Sequence, residues 1–243
     1  MPFSLHKALI IPLFISTLVG LLFLLTPLDF MVGDFFFRYG EFIGRDSWWA
    51  DRLIHKGGGK LIFTIALASL LMAIASLKIP HLRPYRQVAL YILLCIALGT
   101  GLVNLLKHIT NMDCPWDLTR YGGHVTFYGL WRDKPEYLGI SQCFPGGHSS
   151  GAFSLFSLYF VCLHYKPRWA SSILTVVISL GTLFGLGQWA RGAHFPSHDF
   201  SSAIICWYVC LALYFPFHKA LTGLARLSPS RDETTLHLKS LEP

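Results

Sequence analysis

Three short polar clusters interrupt an otherwise apolar sequence: Lys107 through Pro115, Pro145 through Ser150, and Gln188 through Asp199. The last packs a cation, Arg191, two imidazoles, His194 and His198, and a carboxylate, Asp199, into one short turn. Phosphoryl transfer needs positive charge around the equatorial oxygens, a nucleophile, and a proton donor for the leaving group. In the middle cluster, Gly146 and Gly147 let a ligand approach the backbone, and His148, Ser149 and Ser150 run directly into an apolar helix. The amides of that first turn, with the positive end of the helix dipole behind them, suit a phosphate. Lys107 adds a cation from the first cluster. Each cluster also has an ordinary reading: a proline-glycine turn before a helix, or a polar turn with Asp199 as its N-cap. A metal site of His148, His194 and His198 is disfavoured because Pro196 interrupts any regular helix carrying the last two.

These clusters need elements to hold them, and the composition says what kind. Of 243 residues, 53% are hydrophobic and only 14% charged, against about a quarter charged in soluble domains. Apolar runs of membrane-spanning length place helices at roughly 8–26, 61–78, 87–107, 148–165, 170–190 and 199–218. The chain reads as an all-α polytopic membrane protein: a six-helix domain over 1–218 and a short, mobile cytoplasmic tail over 219–243. All three clusters then fall at one end of the bundle. The links Lys78/Arg83/Arg86 and Lys166/Arg168 are short and purely basic, which places them and both termini in the cytoplasm and the clusters outside. Between Asp29 and Lys60 the aromatic residues Phe35, Phe36, Phe37, Trp48 and Trp49 are flanked by charges, an interfacial composition that predicts one or two short helices on the outer surface. The glycines Gly57, Gly58 and Gly59 suggest a turn into the second span. The net charge of +7 is spread among short loops and forms no single basic face, which argues for a membrane surface and against nucleic acid.

The clusters and the helix layout together resemble the type-2 phosphatidic acid phosphatase family, which includes bacterial undecaprenyl-diphosphate, phosphatidylglycerophosphate and lipid A phosphatases. That family carries a Lys followed seven residues later by Arg-Pro, then Pro-Ser-Gly-His, then Ser-Arg, five residues, His, three residues and Asp. Here Lys107 precedes Pro115 by eight residues, Pro145-Gly-Gly-His148 opens the fourth helix, and Gly192-Ala-His194-Phe-Pro-Ser forms the last turn. The chain departs from the pattern at Cys114, Gly146, Gln188 and His198, where the family has Arg, Ser, Arg and Asp. Arg191, one helical turn beyond Gln188, is the candidate replacement cation, with Arg120 in the 108–147 loop as another. The resemblance implies His194 as nucleophile, His148 as the acid that protonates the leaving oxygen, and His198 or Asp199 as the group that orients the imidazole. It also implies a mechanism with no metal and no cofactor, a bilayer lipid phosphate as substrate and a bacterial plasma (inner) membrane as the location. A lipid-to-lipid phosphotransferase of the same fold is an alternative, as is a non-catalytic protein that binds lipid phosphates.

Four of the six cysteines, Cys95, Cys162, Cys206 and Cys210, lie within predicted spans and read as small apolar residues. Cys114 and Cys143 sit at the two ends of the outer 108–147 loop, and in an oxidising compartment they are expected to pair.

Overall fold

The structure, a computed structural model, describes residues 5–130 and 134–225 and is almost wholly helical. Helix α1 covers Leu5–Leu25, α2 Leu28–Phe36, α3 Gly58–Lys78, α4 Arg86–Thr110, α5 Gly147–Phe153, α6 Phe156–Tyr165, α7 Ala170–Arg191 and α8 Pro196–Ala225. A two-stranded hairpin, β1 (Phe37–Arg38) and β2 (Glu41–Phe42), follows α2, and a π-helical segment, Trp48–Gly57, leads into α3.

Among the described residues, five helical stretches are long and apolar enough to cross a membrane. Helix α4 shows why they form a bundle. Ala89, Cys95, Ile96, Gly99 and Val103 recur at helical spacing and are buried, while Leu94, Leu98, Leu102, Leu105 and Ile109 on other faces are exposed. Apolar residues on both the inner and the outer faces are what a helix between protein and lipid requires. The core lies between α4, α5, α6, α7 and α8, around Tyr91, Cys95, Phe160, Cys206, Cys210 and Tyr214. There the Tyr91 hydroxyl donates to the Cys210 carbonyl at 2.9 Å, so its polar atom is satisfied. Cys95, Cys206 and Cys210 are fully buried and free, and Cys162 is free and half-buried. Helix α1 packs on α8 at its two ends, through Trp207 donating to the Ala8 carbonyl and through Phe23 against Phe200.

The structure departs from the sequence expectations at three places. The helix expected over 148–165 is broken: Ser154 and Leu155 separate α5 from α6. At the break, Leu155, Ser157 and Leu158 donate to carbonyls three residues back, and Ser150 and Ser154 turn their hydroxyls onto the carbonyls of Gly147 and Gly151. Such local side-chain bonds compete with the helical ladder. The glycine run makes no turn: Gly57 and Gly58 are both helical, and the π-helical segment passes straight into α3. Glycine serves there for close packing, since a Cβ on Gly58 would enter the Phe184 ring. Finally, α8 continues past residue 219 to Ala225. The rest of the expected tail lies outside the described residues.

Candidate active site

The C-terminal ends of α4 and α7 meet the N-terminal ends of α5 and α8, and α2 and the π-helical segment close over them. Lys107, in the last turn of α4, donates to the Gln142 carbonyl at 2.8 Å. Its side chain lies over Gly147, where a Cβ would come within 2.8 Å of Lys107 Cε. Gly146 is equally enclosed, because a Cβ there would run into the Asp199 carboxylate. A side chain at either glycine would make its neighbour shift, the buried Asp199 carboxylate less readily than the flexible Lys107. The segment entering α5 is fastened to α8 by the Gly146 N–H on the His198 carbonyl, 2.8 Å, and by the Ser202 hydroxyl on the Gly146 carbonyl, 2.7 Å.

Helix α7 ends at Gly192, whose φ of 72° is left-handed, and Ala193 N–H returns to the Gln188 carbonyl at 2.9 Å. Helix α8 then starts within a few residues. Its cap is not Asp199, which lies inside the helix. Asp29 of α2 accepts from the Ser197 N–H at 3.0 Å and from the Ser197 hydroxyl at 2.5 Å. Burial raises the Asp29 pKa, against the lowering effect of the two Ser197 bonds.

This turn sets His194 Nδ1 3.4 Å from His198 Nδ1. One of the two facing nitrogens must carry a proton, because two lone pairs cannot bond. His198 is fully buried and its Nε2 has no hydrogen-bond partner. Burial holds the His194 pKa well below its usual 6.5; the charges of Lys107 and His198 act in the same direction, and the Cys143 carbonyl opposes them. His194 is therefore neutral at pH 7, the state an imidazole nucleophile requires.

Asp199 is engaged elsewhere. Its Oδ1 accepts from Ser149 Oγ and its Oδ2 from Trp189 Nε1, both at 2.5 Å. Ser149 is fully buried in this α5–α7–α8 junction. His148 lies on the other side, with Nε2 3.2 Å from the Ile54 carbonyl and its ring stacked on Phe184 at 4.8 Å. Its neighbour His55 is 4.7 Å away, ring to ring. Gln188 bonds His55 Nδ1 through its amide nitrogen, 3.0 Å, and accepts from Arg191 through its amide oxygen, 3.1 Å. Arg191 also lies 3.5 Å from Asp51, and its Nε is buried without a partner. Arg120 is directed away from the histidine pair. It forms a two-pronged bond to Asp34, 2.8 and 2.6 Å, and lies over the Phe30 ring.

Cys114 and Cys143 form a disulfide, with Cα atoms 5.2 Å apart. Beside it, Lys134 and Asp113 make a buried ion pair at 2.6 Å. These contacts fix the 108–147 loop against Lys107 and the start of α5. An apolar cavity of about 980 Å³ runs between α1 and α6–α8 from Lys7 to Trp189 and Asp199. Among the described residues, no group of three His, Cys, Asp or Glu side chains is placed to hold a metal ion.

All of these helix ends except those of α2 and the π-helical segment fall within residues 88–221, which match the model of the PAP2 superfamily. That is more than half of the chain. The chain belongs to the PAP2 superfamily. No curated protein and no solved structure gives a significant match. PAP2 members are generally phosphatases, acting on phosphate esters and often on lipid phosphates. In this PAP2 chain the residues that sequence reasoning missed are Asp29, Asp51, His55 and Trp189. Asp29, Asp51 and His55 lie outside the matched segment, in the aromatic stretch whose composition signalled only a membrane surface. Trp189 lies in the last turn of α7 and reads there as one more apolar residue.

Proposed function

We propose that this protein is a membrane lipid phosphate or diphosphate phosphatase that works through a phosphohistidine at His194. The observation that carries the proposal is the neutral, buried His194 paired with His198, beside Lys107 lying over Gly147. In this reading His198, in the slot where the family has Asp, accepts the Nδ1–H of His194, which leaves the Nε2 lone pair free. Nε2 attacks phosphorus, the bond to the leaving oxygen breaks, and His148 gives that oxygen a proton. The Ile54 carbonyl accepts the Nε2–H of His148, so the ring must enter as the imidazolium for its Nδ1–H to be given to the leaving oxygen. Water then attacks the phosphohistidine, passes a proton back to His148 and releases inorganic phosphate. Lys107, Arg191 and the amides around Gly146 and Gly147 offset the charge on the transferring group.

The reading includes six spans, with α5 and α6 together as the fourth, α2 and the π-helical segment at the outer interface, both termini in the cytoplasm of a bacterial cell, and the site facing the periplasm or exterior. The apolar cavity beside α1 supports a lipid substrate, because it gives a hydrocarbon chain a path that ends at the site. Phosphate release from lipid phosphates by detergent-solubilised protein, with no acceptor lipid present, tests it. Release that disappears in His194→Ala is expected; release only when an acceptor lipid is added would make the protein a phosphotransferase.

A further inference from the structure

A polar cavity of about 450 Å³ opens beside the site and shares only Arg191 with the chemistry described above. Four cations line it, Arg45, Arg52, Lys56 and Arg191, against two carboxylates, Asp46 and Asp51. Asp51 serves both Lys56, at 2.6 Å, and Arg191, at 3.5 Å. Among the described residues, Arg45 and Arg52 form no ion pair. An open cavity with this surplus of positive charge is suited to an anion. Its walls are fixed: Gly44, next to Arg45, donates to the Ala190 carbonyl at 2.8 Å, and Trp116 donates to the Gly192 carbonyl at 2.9 Å. Both carbonyls flank Arg191. The Trp48 and Trp116 rings complete the lining, and Trp48 is largely exposed, as a ring at a membrane interface would be.

A chain of side-chain contacts links the cavity to the site. Arg191 leads through Gln188 to His55 and so to His148, the group assigned to the leaving oxygen. In the proposed in-line displacement His194 attacks from the side opposite the leaving oxygen, so the leaving group lies toward His148. An anionic group on the leaving side would therefore enter this cavity.

We propose that the cavity is a second anion subsite, which holds a phosphate of the substrate other than the one being transferred. The preferred substrates are then lipids with two phosphates close together, such as a diphosphate or a bis-phosphorylated headgroup. This rests on the phosphatase reading of the site. The same chemistry could come from a neighbouring phospholipid of the bilayer, and the test separates the two.

The test measures kcat/KM for a lipid diphosphate and for the monophosphate of the same lipid, in detergent micelles free of phospholipid. The wild-type protein should prefer the diphosphate. In the double variant Arg45→Ala/Arg52→Ala that preference ratio should fall by at least about tenfold, the scale of one lost charge-assisted hydrogen bond. Arg38→Ala, on the hairpin, should leave the ratio unchanged. An unchanged ratio in the double variant would overturn the proposal, as would a change seen only when anionic phospholipid is added. Quenching of tryptophan fluorescence by inorganic pyrophosphate gives a readout independent of turnover. If the wild-type protein binds pyrophosphate and the double variant does not, while no lipid phosphate is hydrolysed, the subsite stands and the phosphatase reading fails. If neither form binds pyrophosphate, the subsite is wrong.

Discussion

His194 can attack phosphorus only while one ring nitrogen keeps its lone pair. Burial secures this by holding its pKa well below 6.5, so the acid limb of kcat/KM due to this residue should lie well under pH 6.5. The same shift affects stability. The unfolded chain takes up a proton near pH 6.5 and the folded chain does not, so stability should fall as pH drops below about 6.5 and stay level above it. Unfolding midpoints measured from pH 5 to 8 check the sign; a midpoint that rises on acidification would contradict it. Lys107→Ala should raise the barrier by about 3–4 kcal/mol, the usual effect of losing a preorganised electrostatic contact, whereas Arg38→Ala should have little effect. His148→Ala should slow the leaving-group step by about 10²–10⁴-fold for a poor leaving group and far less for a good one, and an equal loss for good and poor leaving groups would argue against that role. At this scale the histidines, Lys107 and the two glycines were legible because their types and spacing are unusual in apolar sequence. The partners of Asp199 were not: nothing in the spacing of Ser149, Trp189 and Asp199 announces a bond that only the packing of three helices creates.

The elements around the site are held by a few contacts distant in sequence. Gly192 ends α7 at φ 72°, and a Cβ there would also enter the Phe42 ring. Gly192→Ala should therefore destabilise the protein by at least about 1–2 kcal/mol, the cost of a left-handed residue with a side chain. Thermal unfolding in detergent measures it, and an unchanged midpoint would mean the turn relaxes freely. The disulfide spans 29 residues, which corresponds to about 3–4 kcal/mol in the chain-entropy model. Cys114→Ser/Cys143→Ser should lose up to that amount, and mass spectrometry of non-reduced peptides should find the two cysteines linked. The boundaries of α4 and α7 could be read from hydropathy and from the polar clusters that stop them. The break at Ser154 could not, because an apolar run looks the same whether its serines bond to their own carbonyls or face neighbouring helices. The glycines at 57–59 misled for a related reason: glycine permits a turn but equally permits close packing, and only the position of Phe184 decides between them.

For the molecule as a whole, the apolar outer faces of α1, α3 and α4 leave a lipid bilayer as their natural surroundings. The proposed orientation makes a direct prediction. A cysteine placed at Arg38 should react with a membrane-impermeant thiol reagent added outside intact cells, and one placed at Lys166 should react only after permeabilisation; the reverse pattern would turn the site to the cytoplasm. The convergence of the three polar clusters could be anticipated once the helices alternated in direction, since helix ends on one side must meet. The cover formed by Asp29, Asp51 and His55 could not, because the route of a short amphipathic segment is set by what it packs on. The central claim remains the covalent step at His194. Its most direct test is to mix the protein with a lipid phosphate labelled in the phosphoryl group, quench during turnover, and isolate labelled protein. The account predicts an acid-labile phosphoprotein with the label on His194, absent from His194→Ala; turnover without labelled protein, or labelling that persists in that variant, would contradict it.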